Sequence, residues 1–187
     1  MDRVYGARKR RLFADLPPRV LELGAGAGAN LRYYPAGTAL IAVEPNPCLH
    51  DRLRAAARER GIELELHGAG AERLELPDGS LEAVVCTLVL CTVRDPARVL
   101  SEVRRVLQPG GRFLFVEHVA ASPGSALRAL QTAVRHPWRW LVDGCCVDRD
   151  TAATLEAAGF AELDLERFRL RTPLLPIVPH LAGVAVR

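Results

Sequence analysis

A glycine-rich loop after the first apolar segment is the clearest candidate for binding a ligand. The run Arg19–Leu23 is predicted to be a buried strand that passes directly into the loop Gly24–Gly28. Small residues in such a loop let the backbone approach a ligand, and N–H groups at the start of the next helix can bind an anion. Glu44 closes the next predicted strand, 20 residues after Gly24. A carboxylate there can accept hydrogen bonds from both ribose hydroxyls of a nucleoside.

The loop and this acid leave three interpretations open. Gly24, Gly26 and Ala29 also satisfy a relaxed dinucleotide fingerprint, so a nicotinamide-dependent dehydrogenase is one interpretation. A tight strand–helix turn without a ligand is another, and a nucleoside joined to an amino acid is the third. A dehydrogenase usually needs a substrate domain, and we expect none here because little of the chain follows the predicted sheet.

Two acidic residues favour the ligand that carries an amino acid. Glu22, two residues before Gly24, can help to hold an ammonium group, whereas it would repel a pyrophosphate. Ala71 and Glu72 follow the third predicted strand and can border a purine. These residues predict contacts at both ends of a nucleoside that is joined to an amino acid.

Short apolar runs alternate with amphipathic stretches, a pattern typical of a parallel α/β sheet. Strands are predicted at Arg19–Leu23, Thr38–Val43, Ile62–Leu66, Leu81–Cys86, Arg112–His118, Phe160–Phe168 and Leu181–Val186. Helices are predicted at Val4–Leu16, Asn30–Tyr34, Pro47–Arg60, Pro96–Leu107 and Thr151–Ala158, and residues 120–150 are predicted to be less regular. Ligands of such sheets bind outside the carboxyl ends of the strands, where Thr87 and Leu88 are expected to contact the amino-acid portion.

The composition fits one globular domain with its own core, since the chain has 187 residues of which 49% are hydrophobic. The net charge of +3 is too small to predict nucleic-acid binding. No run approaches the roughly 20 apolar residues of a membrane-spanning helix, and Met1–Pro18 lacks a signal core, so we expect a cytoplasmic protein. Five cysteines without a Cys-x-x-Cys pair, and dispersed histidines, predict neither disulfides nor a metal site.

The segment Val20–Glu117 resembles class I S-adenosylmethionine (SAM)-dependent methyltransferases. The matching motifs are Glu22-x-Gly24-x-Gly26-x-Gly28, the ribose acid Glu44, Ala71–Leu74, Pro77–Ser80 and Leu107–Gly111. The resemblance implies a doubly wound α/β fold with a seven-stranded, mostly parallel sheet whose last strand is antiparallel. It also implies SAM as cofactor, S-adenosyl-L-homocysteine as product, and further cofactor contacts from Ala25, Asn30 and Pro45.

A narrower resemblance is to the methyltransferase-like proteins that methylate small alkyl thiols. It rests on Gly28–Leu31, Tyr34–Pro35, Glu44–Pro47, Cys86–Cys91, Glu117–Ala120 and Asp143–Cys145. It implies a small, fairly apolar acceptor, with a thiol as the first choice. Those relatives carry an apolar membrane anchor before the domain, and this chain starts without one. We therefore expect at most a weak peripheral membrane contact, through the basic stretch Arg8–Arg11.

Methyl transfer from a sulfonium requires an aligned nucleophile and the exclusion of water. Histidine is the side chain most often used as a base at neutral pH, so His118, at the end of the fifth predicted strand, is the candidate base for a thiol. Asp143 is the candidate to orient His118 or the acceptor. Cys145 receives no catalytic role, because direct transfer needs no covalent intermediate.

The predicted organisation is a basic helix over residues 1–18 that packs on a methyltransferase domain over residues 19–187. Within that domain, residues 120–150 are expected to cap the substrate pocket. Two alternatives to thiol methylation stay open: O- or C-methylation of a quinone-type or lipid precursor, and SAM binding without catalysis. The expected partner is a small molecule, and the oligomeric state is left open.

Overall fold

Seven strands form one sheet in the order β3-β2-β1-β4-β5-β7-β6. The computed structural model describes residues 2–170 and 172–187. The strands are β1 (Arg19–Leu23), β2 (Ala39–Val43), β3 (Glu63–His67), β4 (Leu81–Thr87), β5 (Leu107–His118), β6 (Glu162–Arg169) and β7 (Pro179–Val186). The strands from β3 to β5 pair in parallel, and β7 is antiparallel to both β5 and β6. The predicted doubly wound fold with an antiparallel last strand is therefore confirmed.

Five α-helices accompany the sheet in the described residues. They are α1 (Asp2–Leu12), α2 (Pro47–Glu59), α3 (Pro96–Val106), α4 (Ala126–Leu141) and α5 (Thr151–Ala157), with short 3₁₀ turns at Leu31–Tyr33 and Leu175–Ile177. Polar side chains cap the starts of α2, α3 and α5, where Asn46, Asp95 and Asp150 accept a backbone N–H. Pro47 and Pro96 occupy the first helical turn, where a missing N–H costs nothing.

Two apolar layers enclose the sheet because neighbouring strand residues point to opposite faces. Val20 and Leu40 pack with Phe13 and with residues of α2 on one face. Leu21 and Ile41 pack with α3 and α5 on the other face. Glu22 shares the face of Val20, and this placement determines its contacts.

The structure corrects the prediction that residues 120–150 are less regular. Sixteen of them form α4, with the half-buried residues Leu127, Leu130 and Val134 at helical spacing. Pro137 lies inside this helix, and a proline inside a helical pattern normally signals its end. Pro137 is therefore a misleading indication that the helix ends in this segment.

Two boundaries differ from the sequence prediction by four residues or more. Helix α1 ends at Leu12 rather than Leu16, and residues 13–15 form turns before Pro17. Strand β5 begins at Leu107 rather than Arg112, and the predicted turn Pro109–Gly111 lies within the strand at a register shift against β4. In the part of the chain that is described, helices are too short or too polar to cross a membrane.

Candidate active site

A cleft of about 880 Å³ opens at the carboxyl ends of β1, β2 and β4. Its wall contains Gly24, Val43, Glu44, Pro45, Asn46, Leu49, Gly70, Ala71, Glu72, Leu88, Val89, Thr92, Val93, Arg94 and Asp143. Doubly wound sheets bind their ligands at this edge, and the volume is within the range of small-molecule sites. Seven residues proposed from the sequence therefore line one cleft: Gly24, Glu44, Pro45, Ala71, Glu72, Leu88 and Asp143.

The glycine loop keeps its backbone open to this cleft. Gly24 and Gly26 have φ values of +62° and +58°, in the left-handed region that favours glycine. A Cβ atom at Gly24 would lie 2.4 Å from Val89 Cγ2, so no larger residue fits there. A Cβ atom at Gly26 would meet no atom within 4 Å, so this part of the loop adjoins open space. The loop therefore provides room for a ligand close to its backbone.

Glu44 joins the glycine loop to the start of α2. Its Oε2 accepts a 2.8 Å hydrogen bond from the Gly26 N–H, and its Oε1 accepts one of 2.8 Å from the Asn46 N–H. The side chain is held on the cleft wall with 6% of the residue exposed. Because each carboxylate oxygen can accept more than one hydrogen bond, Glu44 can still accept from two ribose hydroxyls.

Glu22 lies behind the glycine loop and is absent from the cleft wall. It is 1% exposed, and its carboxylate accepts hydrogen bonds from Asn30 Nδ2 (2.8 Å) and the Tyr34 hydroxyl (2.9 Å). Burial raises the pKa of Glu22 to about 7, although these hydrogen bonds act in the opposite direction. Asn30 also donates to Thr87 Oγ1 at 2.9 Å, so three proposed cofactor residues form one buried network.

Lys9 completes this network and was missed by the sequence analysis. Its Nζ donates to Asn30 Oδ1 at 2.7 Å, and the residue is 4% exposed. Burial lowers its pKa, which Glu22 and Glu117 partly restore. Its neighbours Arg8 and Arg11 pair with Glu166. The sequence placed Lys9 in an exposed basic stretch, and only its tertiary contacts distinguish it from the arginines.

Two residues on the cleft wall have a strained backbone. Leu88 and Asp143 have φ values of +60° and +44° although neither is glycine. Such conformations cost of order 1–3 kcal/mol each and concentrate at functional sites. Asp143 follows α4 and Leu88 follows β4, so both strained positions bring a loop to the same cleft.

His118 contacts a cysteine instead of the predicted Asp143. Its Nε2 forms a 2.9 Å hydrogen bond with Cys145 Sγ, to which Trp138 Nε1 also donates at 3.3 Å. Hydrogen bonding to the Cys91 thiol is the largest influence that lowers the pKa of Cys145, and His118 and Trp138 add to it. Cys91, His118 and Cys145 are all buried. In the sequence, only their residue types could have indicated that they form one site.

Glu117 organises the loop after β4 from within the core. It is fully buried, and its Oε1 accepts from the Val89 N–H (2.9 Å) and the Leu90 N–H (3.1 Å). Burial raises its pKa, and the two backbone hydrogen bonds oppose that shift. Glu117 therefore positions the loop that carries Leu88, Val89 and Cys91.

Comparisons with known proteins agree on one family. A family model described as a methyltransferase domain matches residues 21–115. The human thiol S-methyltransferase TMT1B is 40% identical over 197 aligned residues, which cover 100% of this chain and 81% of the relative. The human thiol S-methyltransferase TMT1A is 37% identical, over 97% of this chain and 79% of the relative. The crystal structure of an S-adenosylmethionine-dependent methyltransferase from Mesorhizobium loti superposes with a TM-score of 0.67 and 25% identity, over 98% and 97% of the two chains.

Proposed function

Because the chain belongs to the methyltransferase domain family, with SAM as its cofactor, we propose that it transfers the methyl group to a small, fairly apolar thiol. The observation that carries this choice of acceptor is the 40% identity, over the whole chain, to a protein named as a thiol S-methyltransferase. The cleft supports it, because its wall also carries apolar side chains that can pack against an apolar acceptor, namely Val43, Leu49, Leu88, Val89 and Val93.

The residues of the cleft fit the cofactor. Gly26, which follows Ala25, adjoins open space for the ligand, and a Cβ atom at Gly24 or Gly28 would meet a neighbouring side chain. Glu44 and Pro45 would lie along the ribose, Ala71 and Glu72 along the purine, and Leu88 along the methionine portion. Glu22, Asn30 and Thr87 support the loop from behind. When bound, SAM supplies a methyl group that is already activated by its sulfonium.

We assign the acceptor end of the site to His118 and Asp143. Asp143 lies on the cleft wall, where it can contact the acceptor. His118 lies behind that wall beside Cys145, where it can favour the thiolate form of the acceptor. A free thiol has a pKa near ~8.5, so a modest influence is enough to increase its thiolate fraction at neutral pH. Residues 120–150, including α4, would then form the cap that excludes water.

A panel of acceptors tests this function. Purified protein is incubated with SAM and, separately, with propanethiol, hydrosulfide, a phenol, a quinol or phosphatidylethanolamine, and S-adenosyl-L-homocysteine and the methylated product are measured. We expect methyl propyl thioether from propanethiol, methanethiol from hydrosulfide, and no methylated product from the other acceptors. Methylation of the phenol, quinol or lipid with inert thiols would assign the alternative acceptor class. SAM binding without turnover on any acceptor would leave a binding module.

We also propose a cytoplasmic location with little membrane contact. All five cysteines are free thiols, as expected in a reducing compartment. In the basic stretch Arg8–Arg11, Lys9 is buried and two arginines are paired with Glu166, so this stretch offers a weak site for an anionic membrane. Cell fractionation tests the proposal, and recovery with the membrane pellet after a salt wash would contradict it.

A further inference from the structure

Three side chains from distant parts of the chain converge behind the cleft. Cys91 follows β4, His118 ends β5 and Cys145 follows α4. One ligand atom from each side chain lies within 4.8 Å of the other two, and all three residues are buried. Thiolate sulfur and imidazole nitrogen are the donors that zinc takes most often, and three protein ligands with one open position are typical of catalytic zinc sites.

The spacing of these atoms is close to that of a tetrahedral site. With Zn–S near ~2.3 Å and Zn–N near ~2.0–2.1 Å, ligand atoms lie about 3.6–3.8 Å apart. The 2.9 Å separation of His118 Nε2 and Cys145 Sγ would lengthen, and the widest separation in the cluster, at most 4.8 Å, would shorten. Shifts of about 1 Å or less would therefore build the site.

Charge balance favours a divalent ion at this place. A buried charge is costly unless it is paired. Two thiolates and one neutral imidazole compensate a dication completely, so the loaded centre has no net charge. His118 Nδ1 is buried and has no hydrogen-bond partner within residues 2–170 and 172–187.

The backbone around the cluster is held in place independently of any ion. The Cys146 N–H donates to the Cys91 carbonyl at 2.8 Å, which joins the two cysteine-bearing loops. Arg149 Nη1 donates to the Val93 carbonyl at 2.7 Å, and the Ala120 N–H donates to the Arg149 carbonyl at 2.9 Å. These bonds tie the loop after β4, the end of β5 and the loop after α4 together, so the ligands are preorganised.

We propose that Cys91, His118 and Cys145 bind one zinc ion whose fourth position takes the sulfur of the acceptor thiol. Sequence neighbours of the cluster line the cleft wall, since Thr92 follows Cys91 and Asp143 precedes Cys145 by two residues. The choice of acceptor rests on the proposed function, whereas the metal site rests on the cluster alone.

The chemistry of the step balances without an added oxidant or reductant. The acceptor sulfur binds the ion and its S–H proton passes to water, so the sulfur is held as a thiolate. One sulfur lone pair then forms the new S–C bond while the bond between the methyl carbon and the sulfonium breaks. The electron pair of that broken bond stays on the departing sulfur, which becomes neutral. The product thioether is a weaker ligand than a thiolate and leaves the ion.

Cobalt substitution tests the site on the whole protein. Metal-free, reduced protein is titrated with Co²⁺, and absorption spectra are recorded without SAM. We expect thiolate-to-cobalt charge-transfer absorption and intense visible bands that saturate at one ion per chain. Zinc should then displace cobalt and abolish the bands, because zinc binds such sites more tightly. The absence of a charge-transfer band in the wild-type protein would overturn the proposal and leave a hydrogen-bonded cluster.

Matched variants locate the ion. Cys145→Ser and Cys91→Ala should each lose the cobalt bands, while Cys48→Ser, which removes an exposed thiol, should keep them. Thermal unfolding identifies any variant that has lost its fold. If a variant is unfolded, the cobalt titration of the wild-type protein decides whether the metal site exists. Full cobalt bands in a folded Cys145→Ser variant would contradict the assignment.

Addition of propanethiol to the cobalt protein tests the open position. A shift of the bands supports binding of the acceptor at the ion, and unchanged bands at saturating thiol would overturn that part of the proposal. If the bands shift but no thioether forms with SAM, the proposed thiol methylation fails while the metal site stands. If thioether forms without any cobalt or zinc binding, the metal site fails while the proposed thiol methylation stands.

Discussion

Glu44 combines a structural and a ligand-binding role in one carboxylate. Its two oxygens hold the N–H groups of Gly26 and Asn46, so the glycine loop and the start of α2 are fixed before a ligand arrives. A preorganised acceptor loses less entropy on binding than a mobile one. The same residue thereby connects the order of the loop to the affinity for the ribose.

We predict that Glu44→Ala weakens SAM binding by roughly 1–3 kcal/mol, the cost of losing hydrogen bonds to a charged group. Isothermal titration calorimetry measures the change. Glu63→Ala removes an exposed carboxylate at the opposite end of the sheet and should bind SAM like the wild type. Unchanged affinity in Glu44→Ala would remove this residue from the site.

Glu22 should make stability depend on pH. Its pKa of about 7 in the folded protein is raised by burial above the ordinary value of 4.5. The folded state therefore binds the proton more tightly, and the stabilisation is complete below about pH 4.5 and is lost as the pH rises through about 7. The loss amounts to roughly 3 kcal/mol, from a shift of about 2.5 units at 1.36 kcal/mol each.

Urea unfolding at a series of pH values tests this dependence. The unfolding free energy of the wild type minus that of Glu22→Gln should fall by roughly 3 kcal/mol between about pH 4 and pH 8. Lys9 is a cation that acts on Glu22, and it is present in both proteins. Glu59→Gln on the surface of α2 is the control. A difference that stays constant or rises with pH would contradict the prediction.

Helix α1 is attached to the domain through a polar contact as well as an apolar one. Tyr5 within the helix and Phe13 just after its end are buried. Lys9 donates a hydrogen bond to Asn30 beneath the glycine loop. A helix of 11 residues is marginal on its own. Its stability therefore depends on these contacts with the sheet and the loop.

We expect Lys9→Met to lower the unfolding free energy by about 1.5–3 kcal/mol, because the Oδ1 atom of Asn30 loses a charged donor in a buried place. Methionine keeps much of the apolar volume, so the change isolates the hydrogen bond. Arg11→Ala on the same helix breaks an exposed ion pair and should cost less than about 1 kcal/mol. Equal effects of the two substitutions in denaturant unfolding would refute this reasoning.

The elements were largely predictable from the sequence where the signals are local. The apolar run before Gly24, the caps at Asn46 and Asp95, and the prolines after them each act within a few residues. Helix α4 was not predictable in this way, because Pro137 sits inside a pattern that tertiary contacts complete. One such contact is Gln131, which is fully buried and hydrogen-bonded to the Ala121 N–H.

At the scale of the whole molecule, the site depends on contacts that sequence spacing cannot show. Lys9 and Asn30 are 21 positions apart, and His118 and Cys145 are 27 apart. The fold brings each pair together at the carboxyl edge of the sheet. The strand ends could be predicted to meet there, so seven residues of the cleft wall were found. Partners that approach from other elements could not be predicted.

Ligand binding should stabilise the whole domain because the cleft residues come from several elements. SAM at 100 times its Kd is expected to raise the unfolding free energy by about 2.7 kcal/mol. For a domain of this size, that corresponds to a rise in Tm of roughly 5–10 °C. Differential scanning fluorimetry measures the shift. A nicotinamide dinucleotide should have no effect, and a larger shift with it than with SAM would favour the dehydrogenase interpretation.

Lys9 is the only lysine of the chain, and its amine is enclosed between α1 and the glycine loop. An acylating reagent can therefore reach this side-chain amine only while α1 is detached from the domain. The rate of acylation at Lys9, followed by peptide mass spectrometry, would measure how often α1 detaches. Slower labelling in the presence of SAM would reveal that the cofactor also secures the helix.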